Sequence, residues 1–137
     1  MKALKLFLGL LFVSTSLIIV SCGEGGVGDS SPGDAVKSMA IDLQGENYNT
    51  VVDLYINKNG EELTDEEKTK IRAFLPSAKE EMDKKEGLKE VVIVEETISA
   101  DGKTATVKSY LIYGNGDKSS EDEINLVKVN GNWRIEI

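Results

Sequence analysis

The chain has 137 residues and a formal net charge of −8, from 24 acidic and 16 basic side chains. Such acidity repels phosphate backbones and anionic headgroups, and no basic stripe offsets it, which argues against sequence-independent nucleic-acid binding and charge-driven membrane attachment; no nucleic-acid partner is expected. There is no His and a single Cys, so Ser-His-Asp and Cys-His catalysis, His-ligated zinc, imidazole pH switching and any intramolecular disulfide are excluded as well. The length suits one domain with one core.

Lys2 and Lys5 precede an apolar run from Leu6 to Val20, broken only by Gly9, Ser14, Thr15 and Ser16. This is the pattern of an export signal. At roughly 1.5 Å per residue the run reaches only about 22 Å as a helix, short of a bilayer core of about 30 Å. Its end, Ile19-Val20-Ser21-Cys22, resembles the bacterial lipobox. The resemblance implies cleavage between Ser21 and Cys22, a diacylglyceryl group on the Cys22 thiol and a further acyl chain on its amine. Each buried methylene contributes about 0.8 kcal/mol, so one acyl chain holds marginally and two or three hold a protein on a membrane essentially permanently. Gly23 stands where an aspartate would favour inner-membrane retention, which points to the outer membrane of a bacterial cell envelope. The expected organisation is therefore a lipoprotein signal peptide at 1–21, a lipidated Gly- and Ser-rich tether at 22–31 and a single domain at 32–137. Gly23, Gly25 and Gly28 spell G-x-G-x-x-G, but no strand precedes them and no βαβ unit follows, so the dinucleotide reading lacks its context.

Ser31-Pro32 starts the domain, with Ser as N-cap and Pro at the first helical position. Ala35, Val36, Met39, Ala40 and Leu43 mark the apolar face of a helix ending near Gly45. A second helix is predicted from about Tyr48 to Ile56, with Tyr48, Val51, Val52 and Tyr55 turned inward. Thr64 with Glu67 is a capping-box pattern opening a third helix, whose inward stripe is Ile71, Phe74, Leu75, Ala78 and Met82. Pro76 predicts a kink or break near Leu75, and Gly87 a stop. From Leu88 the period becomes alternating, giving four strands at about 88–99, 104–113, 119–129 and 132–137. Asp101-Gly102 and Asn130-Gly131 are dipeptides favoured in tight hairpins, and 114–117 forms the middle turn. Short connections make consecutive strands antiparallel. The prediction is thus an α+β fold of order ααα-ββββ, with N-terminal helices on one face of a four-stranded antiparallel sheet. On the last strand Trp133, Ile135 and Ile137 share the inward face.

The segments Ser31-Pro32-Gly33-Asp34-Ala35-Val36, Asp101-Gly102-Lys103-Thr104-Ala105-Thr106-Val107 and Leu126-Val127-Lys128-Val129-Asn130-Gly131-Asn132-Trp133-Arg134-Ile135 together resemble the DUF4878 family, small lipoproteins of Bacteroides-type bacteria. The likeness spans nearly the whole chain after Cys22. It implies the nuclear-transport-factor-2-like, or cystatin-like, superfamily, in which a curved sheet wraps a helix into a cone that often holds a cavity. Enzymes of that superfamily place an Asp or Glu base with Tyr or Asp hydrogen-bond donors in the cavity. No residue of this chain aligns with those roles, so no catalytic residue and no cofactor are assigned.

Tyr48, Tyr55, Tyr110, Tyr113 and Trp133 are the candidates to line such a cavity, since amphipathic aromatics suit apolar sites with a few polar contacts; core and rim packing accounts for the same residues. Asn115-Gly-Asp117-Lys-Ser119 begins like a calcium loop, but Ser120 and Leu126 stand where Gly and a bidentate Glu belong. Asn57 to Glu66 is another partial match, and both read as turns with no metal. The expected role is a non-catalytic envelope protein, attached to the membrane through Cys22, that binds a small apolar ligand or an envelope protein partner. The alternatives are an isomerase- or cyclase-type enzyme using the cavity, and a structural subunit of an outer-membrane complex.

Overall fold

A computed structural model describes residues 31–137. The leader, the Ser21–Cys22 cleavage site, the lipidated Cys22 and all of the tether before Ser31 lie outside the described residues. Helix α1 covers Pro32–Gln44 and opens on a full capping box. The Ser31 hydroxyl accepts from the Asp34 amide at 3.2 Å, and the Asp34 carboxylate accepts from the Ser31 amide at 3.0 Å. Helix α2 covers Tyr48–Asp53 with Val51 and Val52 buried. It ends earlier than the predicted helix because Tyr55–Ile56 is a strand, β1.

Helix α3, Asp65–Asp83, has the predicted Thr64–Glu67 capping box. It runs unbroken across Pro76 to Asp83, with no break at Leu75. The missing Pro76 amide leaves the Arg72 carbonyl without its helical donor, and Arg72 is exposed, so water can replace the bond. Phe74 is not in the inward stripe: it is 74 % exposed, and Ala78 is exposed too. Leu75 and Met82 carry the burial. The reason is that α3 packs on α1 and α2 instead of on the sheet, and one helix resting on two others buries a narrow stripe.

The remaining strands are β2 (Leu88–Ile98), β3 (Thr104–Tyr113), β4 (Asp122–Val129) and β5 (Asn132–Glu136). The sheet is five-stranded and mixed, in the order β1-β5-β4-β3-β2. This corrects the four-stranded antiparallel prediction. Consecutive strands from β2 to β5 are antiparallel, and β1 adds in parallel beside β5, Tyr55 opposite Ile135. Two residues carry no readable period, and their partner lies at the far end of the chain. The Asn130-Gly131 turn has positive φ at both residues, 51° and 82°, as a type I′ turn requires. At Asp101-Gly102 only Gly102 has positive φ, and the turn is a wider one closed by Ser99 N–H donating to the Thr104 carbonyl at 2.9 Å.

Register shifts between Leu88 and Glu90 and between Ile93 and Glu95 put bulges in β2, which bend and twist the strand. The main core lies between α1 and the concave face, where Ala35, Val36 and Ala40 meet Val107, Leu126, Trp133 and Ile135. A second cluster joins Val51, Val52 and Leu75 between α2 and α3. Trp133 is core as predicted, whereas Ile137, past the end of β5, is 45 % exposed.

Candidate functional site

Two concavities border α1. One lies between the helices and the sheet and measures about 100 Å³, walled by Met39 and Leu43 of α1, Met82 of α3, and Ser109, Leu111 and Ile124 of the sheet, with Ser119 and Asp122 at one side. Ser109 is the buried polar residue of the core, 4 % exposed. Its neighbour Ser119 is committed locally: the hydroxyl accepts from the Leu111 amide at 2.9 Å and donates to the Ser120 carbonyl.

The five candidate aromatics do not converge on this cavity. Tyr110 borders it through the Ser109-Tyr110-Leu111 segment. Strand alternation, however, sends its ring to the face opposite Ser109 and Leu111, where the Lys118 ammonium stands 5.7 Å from the ring centre. Tyr113 is buried at the end of β3 with Lys85 Nζ at 4.5 Å from its ring. Tyr48 packs against the α2–α3 cluster. Tyr55 packs between the two clusters and donates its hydroxyl to Met39 Sδ at 3.2 Å; burial raises its pKa above the ordinary 10.0. Trp133 is core, its ring 5.6 Å from Lys128 Nζ.

The larger concavity is a trough of about 410 Å³ on the flank of α1, lined by Lys37, Ile41, Gln44, Leu88, Lys89, Glu90 and Val91. It exists because α1 runs beside β2 and β2 is the edge of the sheet. At one end Gly33 sits against Ile93 and Glu96. At the other, the Gln44 side-chain oxygen accepts from the Leu88 amide at 2.8 Å, while its amino group donates to Asp83 at 3.1 Å. Its apolar part is made by Ile41, which is 61 % exposed, with Leu88 and Val91. Neither Lys37 nor Lys89 belongs to an ion pair among the described residues. No sequence reading singled out this trough. The available signal was Ile41, an isoleucine outside the apolar stripe of its helix.

The partial calcium loops are self-satisfied turns. Asn115 Oδ1 accepts from the Asp117 amide at 2.9 Å, and Asn57 Oδ1 accepts from the amides of Asn59 and Glu61. Among the described residues no three Asp, Glu, Cys or His side chains converge as a metal site, and no helix is long and apolar enough to cross a membrane.

The family model for a domain of unknown function, DUF4878, matches residues 20–136. No curated protein matches the chain. Among solved structures, a Campylobacter jejuni protein named as an NTF2-like transpeptidase superposes with a TM-score of 0.65 at 23% identity, covering 79% of this chain and 99% of its own. A Nostoc punctiforme protein of unknown function with a cystatin-like fold gives a TM-score of 0.47 at 16% identity, over 76% of this chain and 86% of its own. At these identities the first likeness establishes the fold alone.

Proposed function

The chain belongs to the DUF4878 family on an NTF2-like α+β fold, and from that premise we propose that it is a lipid-anchored cell-envelope protein whose domain is a non-catalytic binding module. The anchor rests on the Ile19-Val20-Ser21-Cys22 sequence at the end of an apolar leader. The binding role rests on one observation, the open trough of about 410 Å³ between α1 and the free edge of β2. Its size falls within the range of roughly 300–1,000 Å³ of ligand sites, and its lining sets the apolar Ile41, Leu88 and Val91 among the polar Lys37, Gln44, Lys89 and Glu90.

An isomerase or cyclase reading has less to stand on. Such chemistry needs a carboxylate and a phenol or second acid facing one enclosed substrate. The interior cavity holds about 100 Å³, and of the candidate tyrosines Tyr110 alone borders it, its ring on the opposite face of the strand.

Two measurements test the proposal. Replacing Cys22 with Ala is expected to abolish labelling by a fatty-acid precursor and to move the protein out of the membrane fraction; retention of both label and membrane overturns the anchor. A photo-crosslinking amino acid at Ile41 in the full chain, irradiated in intact cells, is expected to capture a discrete adduct that the same probe at exposed Phe74 does not. Identical adduct patterns from the two positions overturn the trough as the binding surface.

A further inference from the structure

We propose that the trough beside α1 binds a single-chain fatty carboxylate, a ligand class that rests on the binding-module reading above. The walls have the two halves such a ligand needs. Ile41, Leu88 and Val91 supply an apolar floor, and Lys37 and Lys89 supply two ammonium groups, neither of them in an ion pair among the described residues. In a chain of net charge −8, Lys37 and Lys89 stand together on one trough and complement an anion placed between them, away from Glu96 at the Gly33 end and Asp83 at the Gln44 end. Glu90 is the one acidic residue of the lining. It pairs with Ile112, whereas Val91 pairs with Leu111, so alternation places the carboxylate on the other face of the strand from the floor. The Gln44 amide is taken up by Leu88 and Asp83 and leaves anion recognition to the lysines and the edge.

The same edge argues against an extended peptide. An added strand needs a continuous ladder, and β2 is bulged between Leu88 and Glu90 and again between Ile93 and Glu95. Bulges of this kind protect edge strands from pairing. Between them only a short regular stretch remains. A flexible alkyl chain needs no register and follows the floor, while its carboxylate meets the lysines in charge-assisted hydrogen bonds.

The test uses the full-length, membrane-attached protein. Isolated membranes are incubated briefly in the cold with a diazirine-bearing fatty acid, irradiated, and the adducts mapped by peptide mass spectrometry; a chain-matched fatty alcohol serves as the uncharged probe. Label is expected within 37–44 and 88–91, competed by unlabelled dodecanoate. The alcohol should label about tenfold less, and Lys37→Glu with Lys89→Glu should lower fatty-acid labelling by about tenfold or more, the scale of one charge-assisted hydrogen bond. Both lysines are exposed, and the milder Lys37→Gln with Lys89→Gln should give a smaller loss in the same direction. Equal labelling by acid and alcohol, label that persists in both double variants, or adducts mapping to the Met39–Ile124 cavity overturns the proposal. A discrete Ile41 crosslink to a protein, with no fatty-acid label, overturns the ligand class and leaves the binding module standing.

Discussion

A Cβ on Gly114 would stand 2.2 Å from the Glu86 carbonyl oxygen, closer than any packing allows. The approach is made by two hydrogen bonds: the Gly114 amide donates to the Gly87 carbonyl at 2.8 Å, and the Asn115 amide to the Lys85 carbonyl at 3.1 Å. They pin the β3–β4 turn to the segment leaving α3, where Glu86 and Gly87 both take positive φ. Gly114→Ala is therefore expected to destabilise the domain by about 1–3 kcal/mol, the usual cost of overpacking, read as a lower urea midpoint at unchanged slope. Tyr55 makes a pH prediction. Burial raises its pKa above 10.0, so between the unfolded and folded values the native state holds a proton that the unfolded chain has lost. Stability from this group is complete below about pH 10 and falls as pH rises through the folded value. Urea midpoints at about pH 8 and about pH 11 should drop more in the wild type than in Tyr55→Phe; parallel losses would remove Tyr55 as the cause.

At the scale of elements, a single side chain joins three of them. Gln44, in the last turn of α1, reaches both Asp83 at the end of α3 and the Leu88 amide at the start of β2. Local pattern assigns each of these elements, yet nothing local says that they meet. Gln44→Ala leaves the Leu88 amide without its partner in a half-buried setting, and the expected cost is about 1–3 kcal/mol. Hydrogen exchange at the Leu88 amide checks it: protection should fall there more than at Val107. The capping boxes of α1 and α3 are the opposite case. Ser31 with Asp34 and Thr64 with Glu67 bond within one turn, so spacing alone announces them. Phe74 marks the limit of that approach, since helical periodicity shows which residues share a face but not how much of the face another element will cover.

For the molecule as a whole, the two apolar clusters share Met39 and Tyr55 as bridging residues, and α1 touches both the sheet and the outer helices. One cooperative transition is expected. Trp133 fluorescence, reporting the sheet core, and far-ultraviolet circular dichroism, weighted to the helices, should give coincident urea curves; separated midpoints would mean that α2 and α3 melt independently. The sequence by itself determined the features set by neighbours along the chain: the caps of α1 and α3, four alternating strands, the Asn130-Gly131 turn and the buried Trp133. It also carried the family likeness, because the residues that carry it lie in those same turns and strands. Only the tertiary structure decided the parallel strand at Tyr55–Ile56, the outward turn of Phe74, the dispersal of the aromatic candidates and the trough between Ile41 and Leu88. Each of these depends on which distant segment covers a given face, and a two-residue strand or one isoleucine outside its helix's stripe holds too little local free energy to announce its partner.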